Sequence, residues 1–385
     1  MMVVPDYNFR IRADRAVYVV GDFNEELLKQ VIPRITELRF ETTDPISVVI
    51  SSHGGDVSCL ESILSALSVR DPDGREIRVV SSVNGHADSC GAILLTMADY
   101  AIATSCSKIH FHGIRLSEYD LTTESASQIA NHLSKENKSI ADNMARAMMP
   151  RIMHRFSRLK KDIDAIRRKR RKYPSIMGFT DIIQERITPP TRKVFLKAVN
   201  RLIRVRQISS TLSEIKFRRR ETALQKDAKL LEHIINYEVK DKSKRGLRFD
   251  EGGIGQVVFD YLTIRDFHFG EHLYFLDDLV NLWGPEFLSE QSLKKYNQLE
   301  SESKPKAFKF LAAEVAFDVQ DFWYLTLSLA RSLLYGENNV PAWDAYWIGA
   351  IDEISGDSDC FGLRAMMEKD APKGSTSLEP KTTAS

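Results

Sequence analysis

No run of this sequence is both free of charge and long enough to cross a bilayer, which argues against a membrane-spanning helix. The first residues, Met1-Met2-Val3-Val4-Pro5-Asp6, lack a basic stretch leading into an apolar one, so no secretory leader is expected. Cysteine is scarce. Cys59, Cys90, Cys106 and Cys360 show no C-x-x-C spacing, which speaks against a disulfide framework and a paired-cysteine metal site. Cys59, Cys90 and Cys106 fall in predicted core elements, where free buried thiols in a reducing, cytoplasmic compartment are expected. There is no G-x-x-x-x-G-K-[ST] loop, so any dependence on ATP has to come through a partner. No internal repeat is found, and no cofactor or metal is expected. Net charge is close to zero at +1, which excludes nothing by itself.

What is present reads as alternating strands and helices. Ala16-Val17-Tyr18-Val19-Val20 is a strand, followed by a helix over 24–40 with Leu27, Leu28, Val31, Ile35 and Leu38 on one face and a kink expected at Pro33. Ile46 to Ser51 is a second strand, ending in Ser52-His53-Gly54-Gly55-Asp56. The helix after it carries Val57, Leu60, Ile63, Leu64 and Leu67 inward, with Asp56 as its N-cap. Such alternation predicts a mostly parallel sheet with right-handed crossovers.

One segment points to chemistry. In Gly85-His86-Ala87-Asp88-Ser89-Cys90-Gly91-Ala92, a serine stands between glycines where the β-branched run 77–83 should give way to an apolar helix over 92–97. A serine in the first turn of a helix meets free N–H groups and the positive end of the dipole, which suits an oxyanion. The glycine pair Gly54-Gly55 lets a second backbone segment come close. Downstream, Lys108-Ile109-His110-Phe111-His112 is a short strand ending in histidine. Near the C-terminus lies Glu337, five positions before Ala342-Trp343-Asp344-Ala345-Tyr346-Trp347-Ile348-Gly349-Ala350-Ile351-Asp352.

In this order the four segments resemble the ClpP serine peptidase family of the ClpP/crotonase superfamily. The resemblance covers about residues 14–150 and 330–355. It implies an α/β fold of superhelical β-α units, here with a large, mostly helical insertion. It also implies Ser89 as nucleophile, His112 as general base, Glu337 as triad acid in a place usually held by aspartate, and the N–H groups of Gly55 and Cys90 as oxyanion hole. The implied substrate is a peptide or protein. The implied partners are other copies of the chain and a AAA+ unfoldase. His53 stands where the family has proline before its glycine pair, and Asp88 where it prefers a small residue. Crotonases, which act on acyl-CoA, lack the serine–histidine pairing.

Between Arg151 and Leu230 there are 24 Lys and Arg against seven Asp and Glu, an excess of 17, so the remainder carries −16. Such a block suits an acidic protein or nucleic-acid partner, or it is solvated surface facing the acidic body of the same molecule. An amphipathic helix over 122–149 and a basic one over 195–206 are expected. Further helices are read over 272–283 and 307–335, and residues 257–262 read as a short strand or a buried turn. His268-Phe269-Gly270-Glu271-His272 has the H-x-x-E-H form of some zinc peptidases, but Gly270 weakens the helix such a site needs. The reading divides the chain into a peptidase body (1–150), a basic helical insertion (151–330), a return carrying the acid (331–369) and a disordered tail (370–385). The expected activity is serine endopeptidase. The alternative is a non-proteolytic member of the fold whose basic insertion binds nucleic acid or an acidic protein.

Overall fold

The computed structural model describes residues 11–69, 77–115, 123–170, 173–218, 288 and 290–355. The helix expected over 272–283, the His268–His272 motif, the 257–262 run and the tail lie outside the described residues. The chain divides into two compact units, one of residues 1–111 and 339–385 and the other of residues 112–338.

The first unit is built on one sheet. β1 (Ala16–Val20), β2 (Ile46–Ser52), β3 (Val79–Asp88), β4 (Tyr100–Ala103) and β7 (Glu353–Ile354) lie side by side in that order, and every pairing in the series is parallel. Parallel strands need crossovers, and helices provide them: α1 (Glu25–Glu41), α2 (Val57–Ser68) and α3 (Cys90–Met97). Asn24 and Asp56 start α1 and α2, accepting the N–H groups of Leu27 at 2.9 Å and Ser58 at 2.8 Å. Leu27, Val31, Ile35 and Leu38 of α1 are buried, as the 3.6-residue period requires, and Pro33 lies inside the helix.

β3 does two jobs along its length. Its first half, Val80–Val83, is sandwiched between β2 and β4. Beyond Asn84 its second half pairs with β5 (Lys108–Phe111), setting His86 opposite Lys108 and Asp88 opposite His110. β6 (Asn338–Pro341) pairs with β5, and α9 (Ala342–Trp347) follows it. The returning chain is locked to β4 by buried carboxylates. Asp352 accepts the Ala101 N–H at 2.8 Å, and Glu353 accepts the Tyr100 hydroxyl at 2.6 Å. The Ile351-Asp352 pair of the sequence motif is thus a structural clasp.

The second unit is helical: α4 (Thr123–Lys169), α5 (Ser175–Arg186), α6 (Pro189–Arg218), α7 (Glu290–Glu302) and α8 (Lys304–Leu334). α8 packs along both α4 and α6. Phe156, Phe179 and Phe322 bring three helices together edge to face, with ring centroids 5.0–6.1 Å apart. Two expectations are corrected. The helix read to end near Met149 continues to Lys169 through Pro150. A proline inside a helix costs on the order of 3 kcal/mol. Burial of Met144, Met148, Met149, Ile152, Met153 and Phe156 around it offsets that cost. The basic block, read as beginning a new segment at Arg151, therefore starts in mid-helix, and its first members face inward. Arg151, His154 and Arg155 are buried, and the Arg155 guanidinium donates to the Arg151 carbonyl at 2.6 Å. Burial, helped by the nearby Arg155 and Arg158 charges, lowers His154 to about 3, so it is neutral at pH 7. The third correction concerns Cys106, which is exposed, unlike the buried Cys59 and Cys90.

Candidate active site

Ser89 stands at the junction of β3 and α3, where an extended chain must become helical within one residue. It does so with φ 53° and ψ −116°. Among the described residues it is the one non-glycine with positive φ. An L-residue held there is strained by on the order of 1–3 kcal/mol, and such a conformation persists only where its surroundings enforce it. They do so here. The Ser89 N–H donates to the His110 carbonyl at 2.8 Å, and the Ser89 carbonyl accepts the Ile93 N–H at 3.1 Å. Gly91 and Ala92 are buried against the sheet, with Gly91 facing Ile50 and Ser52 of β2. This is the geometry of a nucleophile elbow, which lifts a serine hydroxyl clear of the backbone.

Gly54 and Gly55 press against this turn, with φ of +102° and +139°. A Cβ on Gly54 would lie 2.6 Å from Ser89 Cβ and 3.1 Å from its Oγ. A Cβ on Gly55 would strike the Phe23 backbone at 2.5 Å. Both positions need glycine for space as well as for conformation. Phe23 bridges this strand in parallel, donating to the Gly54 carbonyl at 2.7 Å and accepting the Asp56 N–H at 2.8 Å. In a parallel bridge the central residue turns its own N–H and C=O to the opposite side. The Gly55 carbonyl accordingly meets the Cys90 thiol at 3.4 Å, so the peptide edge of Gly55 faces the start of α3. The Cys90 N–H, in the first turn of α3, has no intrahelical acceptor. Ser89 and Cys90 thus open α3 beside the Gly54–Gly55 strand within the first unit.

Cys90 is not a second nucleophile. Burial pushes its thiol up to about 11, with the Ser89 hydroxyl and the Gly55 carbonyl acting in smaller ways, so no thiolate forms near neutrality.

His112 and Glu337 belong to the second unit. His112 directly follows the last residue of β5, and its Nδ1 lies 2.8 Å from the Gly113 carbonyl. In the neutral ring that contact places the proton on Nδ1 and leaves Nε2 with its lone pair. The following Ile114 N–H is held by Asn137 Oδ1 of α4 at 3.0 Å. The Glu337 carboxylate pairs with Arg115, both about three-fifths exposed.

In the sequence His53 and Asp88 both stand out as departures from the family pattern. The structure pairs them: His53 Nδ1 lies 2.9 Å from Asp88 Oδ2. The signal available in the sequence is position, since each directly precedes a functional element.

Among the described residues no cluster of side chains could hold a metal ion, and no helix is long and apolar enough to cross a membrane. Compared with known families, residues 4–170 match the Clp protease family model. Over that stretch the chain is similar to that family, and its mixed α/β fold is consistent with the likeness. Glu337 lies beyond the matched residues. No curated protein matches the chain.

Proposed function

Starting from a Clp protease segment that carries a serine in a nucleophile elbow, we infer that the chain is a serine endopeptidase using Ser89, His112 and Glu337. The observation that carries this reading is the backbone of Ser89, held at positive φ where β3 turns into α3, with the Gly54–Gly55 strand packed against it. His112 is tethered to the same strand end: it lies two positions after His110, whose carbonyl accepts the Ser89 N–H. Two residues of chain reach roughly 7 Å.

In the reaction, His112 Nε2 accepts the proton of Ser89 Oγ as the oxygen attacks the peptide carbonyl. The Gly55 and Cys90 N–H groups receive the negative charge of the tetrahedral intermediate. His112 returns the proton to the leaving amine, and water then hydrolyses the acyl-enzyme by the same route in reverse. The Gly113 carbonyl holds the ring in the tautomer this needs. Glu337 supplies negative charge to the imidazolium, tempered by Arg115. As in the family, the substrate is a peptide or protein segment, the working form is a homo-oligomer, and a AAA+ unfoldase delivers folded substrates.

The test is covalent labelling of the full chain with a fluorophosphonate. Parent protein labels, and Ser89→Ala abolishes labelling with an unchanged circular-dichroism spectrum. Equal labelling of the two would dismiss the peptidase reading.

A further inference from the structure

Two side chains beside the elbow take no part in the chemistry just described. His53 immediately precedes the Gly54–Gly55 strand that offers the oxyanion donor, and Asp88 immediately precedes Ser89. Their side chains meet, His53 Nδ1–H donating to Asp88 Oδ2 at 2.9 Å. The His53 ring also stacks on His86, with centroids 3.9 Å apart and planes inclined by 17°. His86 and Asp88 are two apart on β3 and so share one face of the strand. That face therefore grips one imidazole twice, by a hydrogen bond and by a stack.

We propose that His53 and Asp88 form a strut across the site, fixing the Gly55 N–H at its working distance from Ser89. Both are positioning residues for the peptidase reaction inferred above, and the proposal rests on that reading. The two ends of the strut differ in rigidity. Asp88 is anchored, since its backbone is in register with His110 of β5 and its side chain is about one-fifth exposed. His53 opens a loop of two glycines, both at positive φ and without side chains to pack, which is the most conformationally free kind of backbone. The loop is tied on its other side by the Phe23 bridge and by Ser52 Oγ, which accepts the Gly54 N–H at 3.0 Å. Toward the elbow, the described side-chain links are the weak Cys90 thiol contact at 3.4 Å and the His53–Asp88 bond. With the strut gone, the thiol contact is the remaining side-chain link from the glycine pair to the elbow, beside the Ser52–Ala87 backbone pairing. The His53 side chain is 73% exposed, so its placement is due to these two contacts and not to burial.

The experiment uses the full chain with four changes: His53→Ala, Asp88→Ala, the double variant, and Asp88→Asn, which keeps an acceptor oxygen without the charge. Each alanine variant is expected to slow fluorophosphonate acylation and peptide kcat about 10-fold, with KM within about 2-fold, as displacing a donor by a few tenths of an ångström does. Because the partners act as one unit, the double variant should be no slower than either single one. Asp88→Asn should recover to within about 3-fold of parent. Hydrogen exchange of the peptide containing Gly54 and Gly55 should quicken about 10-fold in His53→Ala. Multiplying losses in the double variant, or unchanged exchange, would overturn the strut. The exchange measurement needs no activity. If the parent protein fails to label, the peptidase reading falls, while the exchange result still decides whether the strut exists.

Discussion

Substituting alanine for Gly54 tests the elbow geometry most directly. The added methyl would sit 2.6 Å from Ser89 Cβ, where two carbons rest comfortably at 3.5–4.0 Å. Relief needs a separation of about 1 Å, and neither side yields easily. The loop is pinned by the Phe23 backbone, and Ser89 by the His110 carbonyl. A misplacement of about 1 Å costs on the order of 100-fold in rate. The backbone adds its own cost, because alanine at φ +102° is strained by on the order of 1–3 kcal/mol. Gly54→Ala should therefore lower kcat/KM about 100-fold and global stability by about 1–3 kcal/mol, measured by peptide cleavage and urea denaturation at a temperature where both proteins are folded. Gly85 provides the control, since a Cβ there meets nothing within 4 Å, and Gly85→Ala should leave activity unchanged. The clash is separable from the strain by repeating Gly54→Ala in a Ser89→Gly background, which removes the atom struck. There the destabilisation should shrink to the backbone part. A Gly54→Ala protein that acylates like the parent would refute the contact between this loop and Ser89, and with it the placement of the oxyanion donors.

Three further outcomes are expected. Because the folded-state value of His154 lies below that of an unfolded histidine, the unfolded chain binds the extra proton between about pH 6.5 and 3, and stability is lost as pH falls through that window. Between pH 7 and 4 the loss should approach about 3 kcal/mol by denaturant titration, and His154→Gln should remove most of that slope. Glu337→Gln should lower kcat about 10- to 100-fold in steady-state peptide cleavage, well short of the roughly 10⁴-fold loss seen where the carboxylate alone fixes the tautomer. A loss of that larger size would show that the Gly113 carbonyl does not hold the ring. If the basic block recruits an acidic partner, reversing Arg168 and Lys169 to glutamate should abolish salt-sensitive pull-down while peptide cleavage persists. Arg170 is left intact in that test because it pairs with Asp181 at 3.3 Å and covers the Tyr173 ring. Salt-sensitive capture that survives the reversal would place the contact elsewhere.

What the sequence made legible was local. The β1 strand and the Asp56 cap are where pattern and capping chemistry put them, because each depends on a few neighbouring residues. The turn at Ser89 was readable for the same reason: glycines, a serine and a switch from β-branched to compact apolar residues all fall within a dozen positions. The length of α4 was not readable, because what carries it past Pro150 is burial against helices distant in sequence. Nor was the inward turn of Arg151, His154 and Arg155, since a run of charge reads as solvated surface whichever way its first turn faces. The His53–Asp88 bond was hidden by the sequence separation of 35 between its ends. Each residue was visible as an oddity, but only the parallel register of β2 and β3 makes them neighbours. Cys106 misled because a β-rich neighbourhood suggests burial, whereas the residue sits in the turn between β4 and β5.

The chain leaves the sheet after β5 and rejoins it at β6, and these two strands are partners. Both are four residues long, so the severed ends of the sheet unit lie within roughly 15 Å of each other. From the sheet's side the helical unit is a graft on a single scar. Each doubling of a connection adds only about 0.6 kcal/mol of closure entropy, so the helical span between His112 and Glu337 can lengthen with little toll on the sheet.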